Sequence, residues 1–271
     1  MTSTSPIPQL GLGTFGRTGE AGMAAILTAL ELGYRHIDTA QTYDTEAEVG
    51  EAMRRSGLPR GEIFVTTKVA DGNLDRARFG PSVERSLATI GVDQVDLLLI
   101  HWPAFGDAVP FEDYMLALAE AQERGQARLI GVSNFPIALL ERTRALLGEG
   151  AIATNQVEIH PYLQAPRLRD HARARRLTLT AYQPLLKGRV ASDPALVNIA
   201  GRRGVNPAAV ALAFLMAEGH AVIPASSSAA NLRANLAARD IRLSEEEMER
   251  IRALDRGERT INPAKSPAWD D

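Results

Sequence analysis

Short runs of β-like apolar residues alternate with amphipathic stretches along almost the whole chain. This alternation is typical of proteins in which helices pack against a parallel sheet. Eight such runs predict strands at Leu10–Thr14, His36–Asp38, Ile63–Val69, Val95–His101, Leu129–Ser133, Thr154–Glu158, Leu177–Tyr182 and Ala221–Pro224. Strands separated by helices in this way predict a (β/α)8 TIM barrel of the α/β class, with a short N-terminal lead-in and a C-terminal tail. We expect residues 1–271 to form this single domain.

The ends of the predicted helices carry residue types that favour helix termini. Gly33 follows the first helix as a stop signal. Thr45 and Glu48 have the spacing of a capping box before the second helix, and Ser244 and Glu247 open the last one. Prolines fall where a first helical turn tolerates them, at Pro136, Pro166, Pro194 and Pro207.

The composition is that of an ordinary folded chain of enzyme size, with 45% hydrophobic and 23% charged residues among 271. A net charge of −3 without a run of Lys or Arg argues against a nucleic-acid partner. The chain contains no cysteine, which excludes disulfides and a thiolate nucleophile and suits a reducing cytoplasm. No apolar run approaches the roughly 18 residues that span a bilayer, and the N-terminus lacks signal-peptide features. We therefore expect a soluble, cytoplasmic protein without a membrane partner, and we expect it to be a monomer.

Polar residues interrupt the apolar pattern at the carboxyl ends of the predicted strands. In a barrel these ends meet at one mouth, where the active sites of this fold are built. The residues in such positions are Asp38, Lys68, His101, Asn134, Gln156, Tyr182 and Ser226. Their shared position is stronger evidence for a site than any one of them alone.

Lys68 lies near the end of the apolar run that begins at Ile63, and a buried ammonium is costly unless it is paired. Asp38 ends the neighbouring strand and can supply the opposite charge, while the next loop brings Tyr43. A phenol has a pKa of about 10, which a nearby ammonium can lower. We therefore predict that Lys68 lowers the pKa of Tyr43 and makes it a usable acid. Each residue also has a simpler alternative role, as a helix cap, a surface lysine or a surface aromatic residue.

His101 ends an aliphatic strand and is followed by Trp102. Beside an acidic phenol, its Nε2–H could donate a hydrogen bond to a carbonyl oxygen and orient it. The alternative is a histidine whose ring is satisfied by backbone groups at a strand end. The other histidines lack partners at metal-ligand spacing, so we predict no metal; they are His36, His160, His171 and His220.

Several segments together resemble the aldo-keto reductase family. They are Asp38–Tyr43, Thr67–Lys68, Leu99–Pro103, Gly131–Phe135, Asn155–Gln156 and Ile223–Ser226. The likeness runs from Leu10 to Trp269. The segment Ala29–Arg35, the compact loops and the short C-terminal end resemble the bacterial branch of 2,5-diketo-gluconate and methylglyoxal reductases.

The resemblance implies an NADPH-dependent reductase of small aldehydes, α-ketoaldehydes, or diketo and keto acids, with NADH as a secondary cofactor. It implies a catalytic tetrad of Asp38, Tyr43, Lys68 and His101, with Tyr43 as the general acid. It also implies that Tyr182 stacks on the nicotinamide. The further cofactor contacts would be Gly13, Thr14, Ser133, Asn134, Gln156, Gln183, Leu185, Ser226, Ser227, Asn231, Arg233 and Asn235. The substrate pocket would be lined by Ala70 and Trp102.

Three positions depart from the family pattern. Ala225 and Asn231 stand where the family has a lysine and an arginine that hold the 2′-phosphate of the cofactor. The three serines at 226–228, with Arg233 nearby, could bind this anion at a helix N-terminus instead. Ala70 replaces a tryptophan of the family, which predicts a wider substrate pocket and a broader specificity.

Two alternatives remain open at this point. Gly11–Gly16 matches the G-x-G-x-x-G pattern of Rossmann folds, and Asp38 follows at about the expected distance of ~20 residues. Against a Rossmann dehydrogenase, Pro6 and Pro8 are a poor lead-in to a buried first strand. The second alternative is a binding or regulatory subunit, because relatives with this fold serve as such and an intact tetrad does not exclude it.

Overall fold

Eight parallel strands form one sheet, in which the order along the chain and the order in space agree. The computed structural model describes residues 6–270, apart from the side chain of Asp107. The strands are β1 (Leu12–Gly13), β2 (His36–Asp38), β3 (Phe64–Val69), β4 (Val95–Ile100), β5 (Ala127–Ser133), β6 (Thr154–Glu158), β7 (Thr178–Tyr182) and β8 (Ala221–Val222). The predicted α/β class with a parallel sheet is confirmed. Residues 1–5 and 271, which the predicted domain includes, lie outside the described residues.

At least one α-helix follows each strand. The helices are α1 (Gly19–Glu31), α2 (Glu46–Ser56), α3 (Arg76–Ile90), α4 (Phe111–Glu123), α5 (Ile137–Leu147), α6 (Pro166–Ala174), α7 (Pro194–Arg203), α8 (Pro207–Ala217), α9 (Ala229–Leu236) and α10 (Glu245–Arg252). Shorter 3-10 segments lie at Gln41–Tyr43, Arg60–Glu62, Asp71–Asn73, Phe105–Asp107, Leu186–Ser192 and Ala237–Asp240. None of the helices within residues 6–270 is long and apolar enough to cross a membrane.

Backbone hydrogen bonds also join the two ends of the strand series. The Gly11 N–H donates to the Val222 carbonyl at 2.9 Å, and the Val222 N–H donates to the Gln9 carbonyl at 2.8 Å. Leu10 and Val222 thereby form a parallel bridge. Strands that are neighbours in sequence are neighbours in the sheet, whereas a Rossmann sheet reverses its strand order. The Rossmann alternative is therefore wrong.

Apolar side chains fill the amino end of the sheet and the space between the sheet and the helices. Ile7, Phe64 and Ala221 belong to a small buried cluster, and the latter two are the first residues of β3 and β8. A larger cluster joins strand residues such as Val65 and Leu98 to the surrounding helices. Polar residues end several of the strands at the carboxyl end of the sheet, where a site can form.

The two predicted capping boxes have different outcomes. The Ser244 hydroxyl accepts from the Glu247 N–H at 3.3 Å, and the Glu247 carboxylate accepts from the Ser244 N–H at 2.9 Å, as predicted. The box predicted for Thr45 and Glu48 is wrong, because the Thr45 side chain makes no cap hydrogen bond. Its buried hydroxyl is instead 2.9 Å from the hydroxyl of Thr14. The hydroxyl that the local sequence pattern predicted as a helix cap therefore makes a contact with a distant part of the chain.

Proline residues mark helix starts much as the sequence predicts. Pro166, Pro194 and Pro207 are the first residues of α6, α7 and α8, and Pro136 directly precedes α5. A first helical turn tolerates proline because the missing N–H would have no partner inside the helix.

Candidate active site

The four residues of the predicted tetrad lie together at the carboxyl end of the sheet. Asp38 is the last residue of β2, Lys68 lies in β3, and His101 directly follows β4. Tyr43 ends the 3-10 turn Gln41–Tyr43 that follows β2. Because β2, β3 and β4 are adjacent, their ends bring these side chains to one place.

Lys68 is fully buried and makes three polar contacts. Its ammonium donates to the Asp38 carboxylate, to the Thr39 carbonyl at 2.9 Å and to the Tyr43 hydroxyl at 3.4 Å. Burial by itself would lower the pKa of Lys68, but the charge of the Asp38 carboxylate and its hydrogen bond raise it above its ordinary value. The lysine is therefore a charged ammonium held against the phenol, as the sequence predicts.

Tyr43 differs from the prediction in the direction of its pKa. Burial raises the pKa of the phenol, and the nearby Lys68 ammonium offsets this rise only in part. The predicted lowering is wrong, because the penalty on a buried phenolate exceeds the stabilisation by the ammonium. Tyr43 is therefore protonated at neutral pH and has a proton to give.

His101 also lies close to the Tyr43 hydroxyl, with its Nε2 3.5 Å from that oxygen. Burial, followed by the charges of Lys68 and Lys265, lowers the pKa of His101 to about 3. The imidazole is therefore neutral at pH 7 and carries a single N–H. A neutral ring can donate to a carbonyl oxygen only through the nitrogen that holds this proton.

The residues expected to contact the nicotinamide are hydrogen-bonded to the tetrad. Gln156 Nε2 donates to Asp38 at 2.7 Å, and the Ser133 hydroxyl donates to the Gln156 carbonyl at 2.8 Å. Asn134 Nδ2 donates to the His101 carbonyl at 2.9 Å. The Tyr182 hydroxyl donates to Asn134 Oδ1 at 2.8 Å, which fixes the half-buried ring at the end of β7. One hydrogen-bonded network thus joins both sets of residues.

Three of the predicted cofactor residues have structural roles. A Cβ on Gly13 would lie 2.9 Å from the Ile223 carbonyl, so glycine allows β1 to approach the chain after β8. Thr14 is buried and donates to the Asp38 carbonyl at 3.0 Å. Asn235 is buried, and its side chain lowers the pKa of Tyr34 against the rise that burial causes. Contact of these residues with a cofactor stays a prediction.

The start of α9 presents the residues expected near a phosphate. Ser226 is buried, and its hydroxyl accepts from the Ser228 N–H at 3.1 Å. Ser228 is the N-cap, and its hydroxyl accepts from the Asn231 N–H at 3.5 Å. The predicted contacts Ser227, Asn231 and Arg233 are exposed, whereas Gln183 and Leu185, in the loop after β7, are half-buried.

The C-terminal tail is anchored at the mouth by Glu158, the buried last residue of β6. Its carboxylate accepts from the N–H groups of Thr260 and Ile261, at 3.0 and 2.8 Å. Burial alone would raise the pKa of Glu158, but hydrogen bonds from His160 and the tail lower it below its ordinary value. Glu158 was not among the residues predicted for the site, although it is the last residue of a strand, as Asp38 is.

Further along, the tail reaches the residues expected to line the substrate pocket. Lys265 Nζ is 2.7 Å from the Asp71 carboxylate and 5.9 Å from the centre of the Trp102 ring. Trp269 meets Trp102 edge to face, with ring centres 6.1 Å apart. Ala70, directly before Asp71, is half-buried. The tail therefore forms part of the expected pocket wall near His101. Lys265, which contributes to this wall, was not among the residues predicted from the sequence.

No group of three or more His, Asp or Glu side chains within residues 6–270 is arranged to hold a metal ion. The absence of a metal from the reaction stays a prediction.

Comparison with known proteins points to one family. The model of the Aldo/keto reductase family matches residues 9–256. The chain is 46% identical to methylglyoxal reductase DkgB of Salmonella typhimurium over 97% of this chain and 99% of that protein. It is 44% identical to methylglyoxal reductase DkgB of Escherichia coli O157:H7, with the same coverage.

Solved structures show the same likeness. A protein assigned as a 2,5-diketo-D-gluconic acid reductase B is 42% identical and superposes with a TM-score of 0.92, over 98% of this chain and 94% of that chain. An aldo-keto reductase crystallised with NADPH is 27% identical and superposes with a TM-score of 0.90, over 97% and 89% of the two chains. The chain belongs to the aldo/keto reductase family and is an oxidoreductase.

Proposed function

We propose that this protein reduces small carbonyl compounds with NADPH and that Tyr43 supplies the proton. The observation that supports this most is the position of the Tyr43 hydroxyl, 3.4 Å from the Lys68 ammonium and 3.5 Å from His101 Nε2. A phenol between a buried ammonium and a neutral imidazole is placed to give its proton to an oxygen that the imidazole also contacts.

In the proposed reaction the substrate oxygen lies between Tyr43 Oη and His101 Nε2. NADPH bound at the mouth would supply the hydride. Tyr43 donates its proton as negative charge develops on the carbonyl oxygen, and His101 orients that oxygen. The phenolate left behind is stabilised by the Lys68 ammonium, which Asp38 holds in place. This contact matters because burial opposes a charged Tyr43.

The residues at the mouth fit a nicotinamide cofactor. Tyr182 would stack on the nicotinamide ring, beside Ser133, Asn134 and Gln156. The exposed Ser227 and the N-terminus of α9 would hold the 2′-phosphate, because free N–H groups at a helix start attract anions. We propose NADPH as the main cofactor and NADH as a secondary one.

We further propose that the hydrogen bonds between the chain before β1 and Val222 close the sheet into a (β/α)8 barrel of one domain. The net charge of −3 supports a protein without a nucleic-acid partner. We expect it to act as a cytoplasmic monomer.

The relatives suggest the substrate class. Methylglyoxal is an α-ketoaldehyde and 2,5-diketo-D-gluconic acid is a diketo acid. We therefore propose that the substrates are α-ketoaldehydes and diketo or keto acids, together with small aldehydes.

Loss of NADPH absorbance over a panel of aldehydes, α-ketoaldehydes, diketones and keto acids tests this function. We expect turnover with NADPH and slower turnover with NADH. Binding of NADPH without turnover of any carbonyl compound would contradict the proposal and favour the binding-subunit alternative.

The cofactor preference gives a prediction about Ala225, which is exposed directly before the serines of the phosphate region. Ala225→Lys should lower the KM for NADPH, because one charge-assisted contact is worth roughly 1.5–3 kcal/mol, or about tenfold or more in affinity. The KM for NADH should stay unchanged. Ala237→Lys, at an exposed position beyond α9, is the matched control. Equal NADPH KM values in Ala225→Lys and the parent would show that position 225 does not meet the phosphate.

The pocket wall gives a prediction about Ala70. Ala70→Trp should lower kcat/KM for bulky aryl aldehydes about tenfold while sparing small aldehydes, since an indole would occupy space that bulky substrates need. Parallel kcat/KM measurements on one bulky and one small aldehyde check this, with Ala70→Ser as the control. An equal fall for both substrates would indicate that the indole only displaces the tail held by Asp71 and Lys265.

A further inference from the structure

Thr42, which the tetrad does not include, contacts the ring of His101. The Thr42 hydroxyl lies 3.2 Å from His101 Nδ1, while the Tyr43 hydroxyl lies 3.5 Å from Nε2. Two consecutive residues of one turn therefore meet the two nitrogens of the same imidazole.

The turn that carries Thr42 is fixed by the side chain before it. Gln41 Oε1 accepts from the Ala70 N–H and from Asn73 Nδ2, both at 2.9 Å. Gln41 Nε2 donates to the Ser86 hydroxyl at 3.1 Å. Because these bonds reach the end of β3 and helix α3, the position of Thr42 relative to His101 is set by the fold.

The neutral imidazole has two forms, which differ in the nitrogen that carries the proton. With the proton on Nε2, the ring can donate toward the substrate oxygen beside Tyr43. With the proton on Nδ1, the Nε2 lone pair would accept from the Tyr43 hydroxyl and repel a carbonyl oxygen. Only the first form serves a proton donation from Tyr43 to the substrate.

We infer that Thr42 is a positioning residue whose hydroxyl donates to Nδ1 of His101 and so keeps the imidazole proton on Nε2, facing the carbonyl oxygen. In this form Nδ1 carries a lone pair, and the Thr42 hydroxyl lies within hydrogen-bond distance to donate to it. The catalytic consequence rests on the proposed function, whereas the proton position does not.

The proton position is measured by nuclear magnetic resonance on protein with 15N-labelled histidine, with the His101 signals identified by their loss in His101→Gln. We expect a protonated Nε2 and an unprotonated Nδ1 in the parent and in Thr42→Ser. In Thr42→Val, which keeps the shape and removes the hydroxyl, the Nδ1–H form should become populated. A protonated Nδ1 in the parent, or the same spectrum in Thr42→Val, would overturn the inference.

The kinetic readout uses the same variants. Thr42→Val should lower kcat by about three- to tenfold, the loss expected for one hydrogen bond, with the NADPH dissociation constant unchanged. Thr42→Ser should restore kcat to within about twofold, since it restores the hydrogen bond. Equal kcat values for Thr42→Val and the parent, or a loss in Thr42→Ser as large as in Thr42→Val, would contradict the role of the hydroxyl. A parent protein without carbonyl turnover would refute the proposed function, while the resonance experiment would still decide the role of Thr42.

Discussion

Replacing Tyr43 with phenylalanine is expected to lower kcat for carbonyl reduction by about 10²–10⁴-fold, the usual contribution of a general acid. The substitution removes only the hydroxyl that lies between Lys68 and His101. The phenyl ring keeps its shape and its edge contact with Phe15, so the mouth should retain its form. The rate of NADPH oxidation and the NADPH dissociation constant are measured on the same preparation.

The NADPH dissociation constant should change little, because the lost hydroxyl contacts Lys68 and His101, which are not among the residues proposed to bind the cofactor. Tyr162→Phe is a matched control, since the Tyr162 hydroxyl bonds to Asp193 at 2.9 Å, apart from the tetrad. This control should retain kcat. A Tyr43→Phe enzyme that keeps most of its kcat would show that another group supplies the proton.

Replacing Lys68 with methionine should both destabilise the fold and remove activity. The side chain is fully buried, and its loss leaves the Asp38 carboxylate buried without its cation. Breaking a buried ion pair in this way costs about 3–5 kcal/mol. Urea unfolding at pH 7 measures the change in the free energy of unfolding, and NADPH oxidation measures the loss of activity.

The double variant Asp38→Asn, Lys68→Met separates the two effects. It should regain much of the stability, because no unpaired buried charge remains, but none of the activity, because no ammonium faces Tyr43. If the free energy of unfolding of Lys68→Met is less than about 1 kcal/mol below that of the parent, Asp38 does not depend on the lysine for its charge.

The grouping of the candidate residues at one end of the sheet could be predicted from the sequence, but the direction of the Tyr43 pKa shift could not. Asp38, Lys68 and His101 each break an apolar strand at its carboxyl end, and parallel strands bring those ends together. The direction of the Tyr43 pKa depends on burial against one neighbouring charge. The burial of Tyr43 comes from side chains that are distant in sequence. A prediction from the local sequence therefore gives the pKa shift of Tyr43 the wrong direction.

The sequence by itself determined the strands, most helix starts and the polar ends that form the tetrad. These follow from patterns within a few residues, because buried parallel strands need continuous apolar runs and helix caps need particular side chains. The tertiary structure decided the contact of Thr42 with His101 and the position of the tail. It also decided that the Thr45 hydroxyl contacts Thr14 instead of capping its helix. Glu158 reaches Thr260 across 102 positions, and Lys265 reaches Asp71 across 194. Such contacts leave no local pattern, because they depend on how the assembled sheet brings distant segments together.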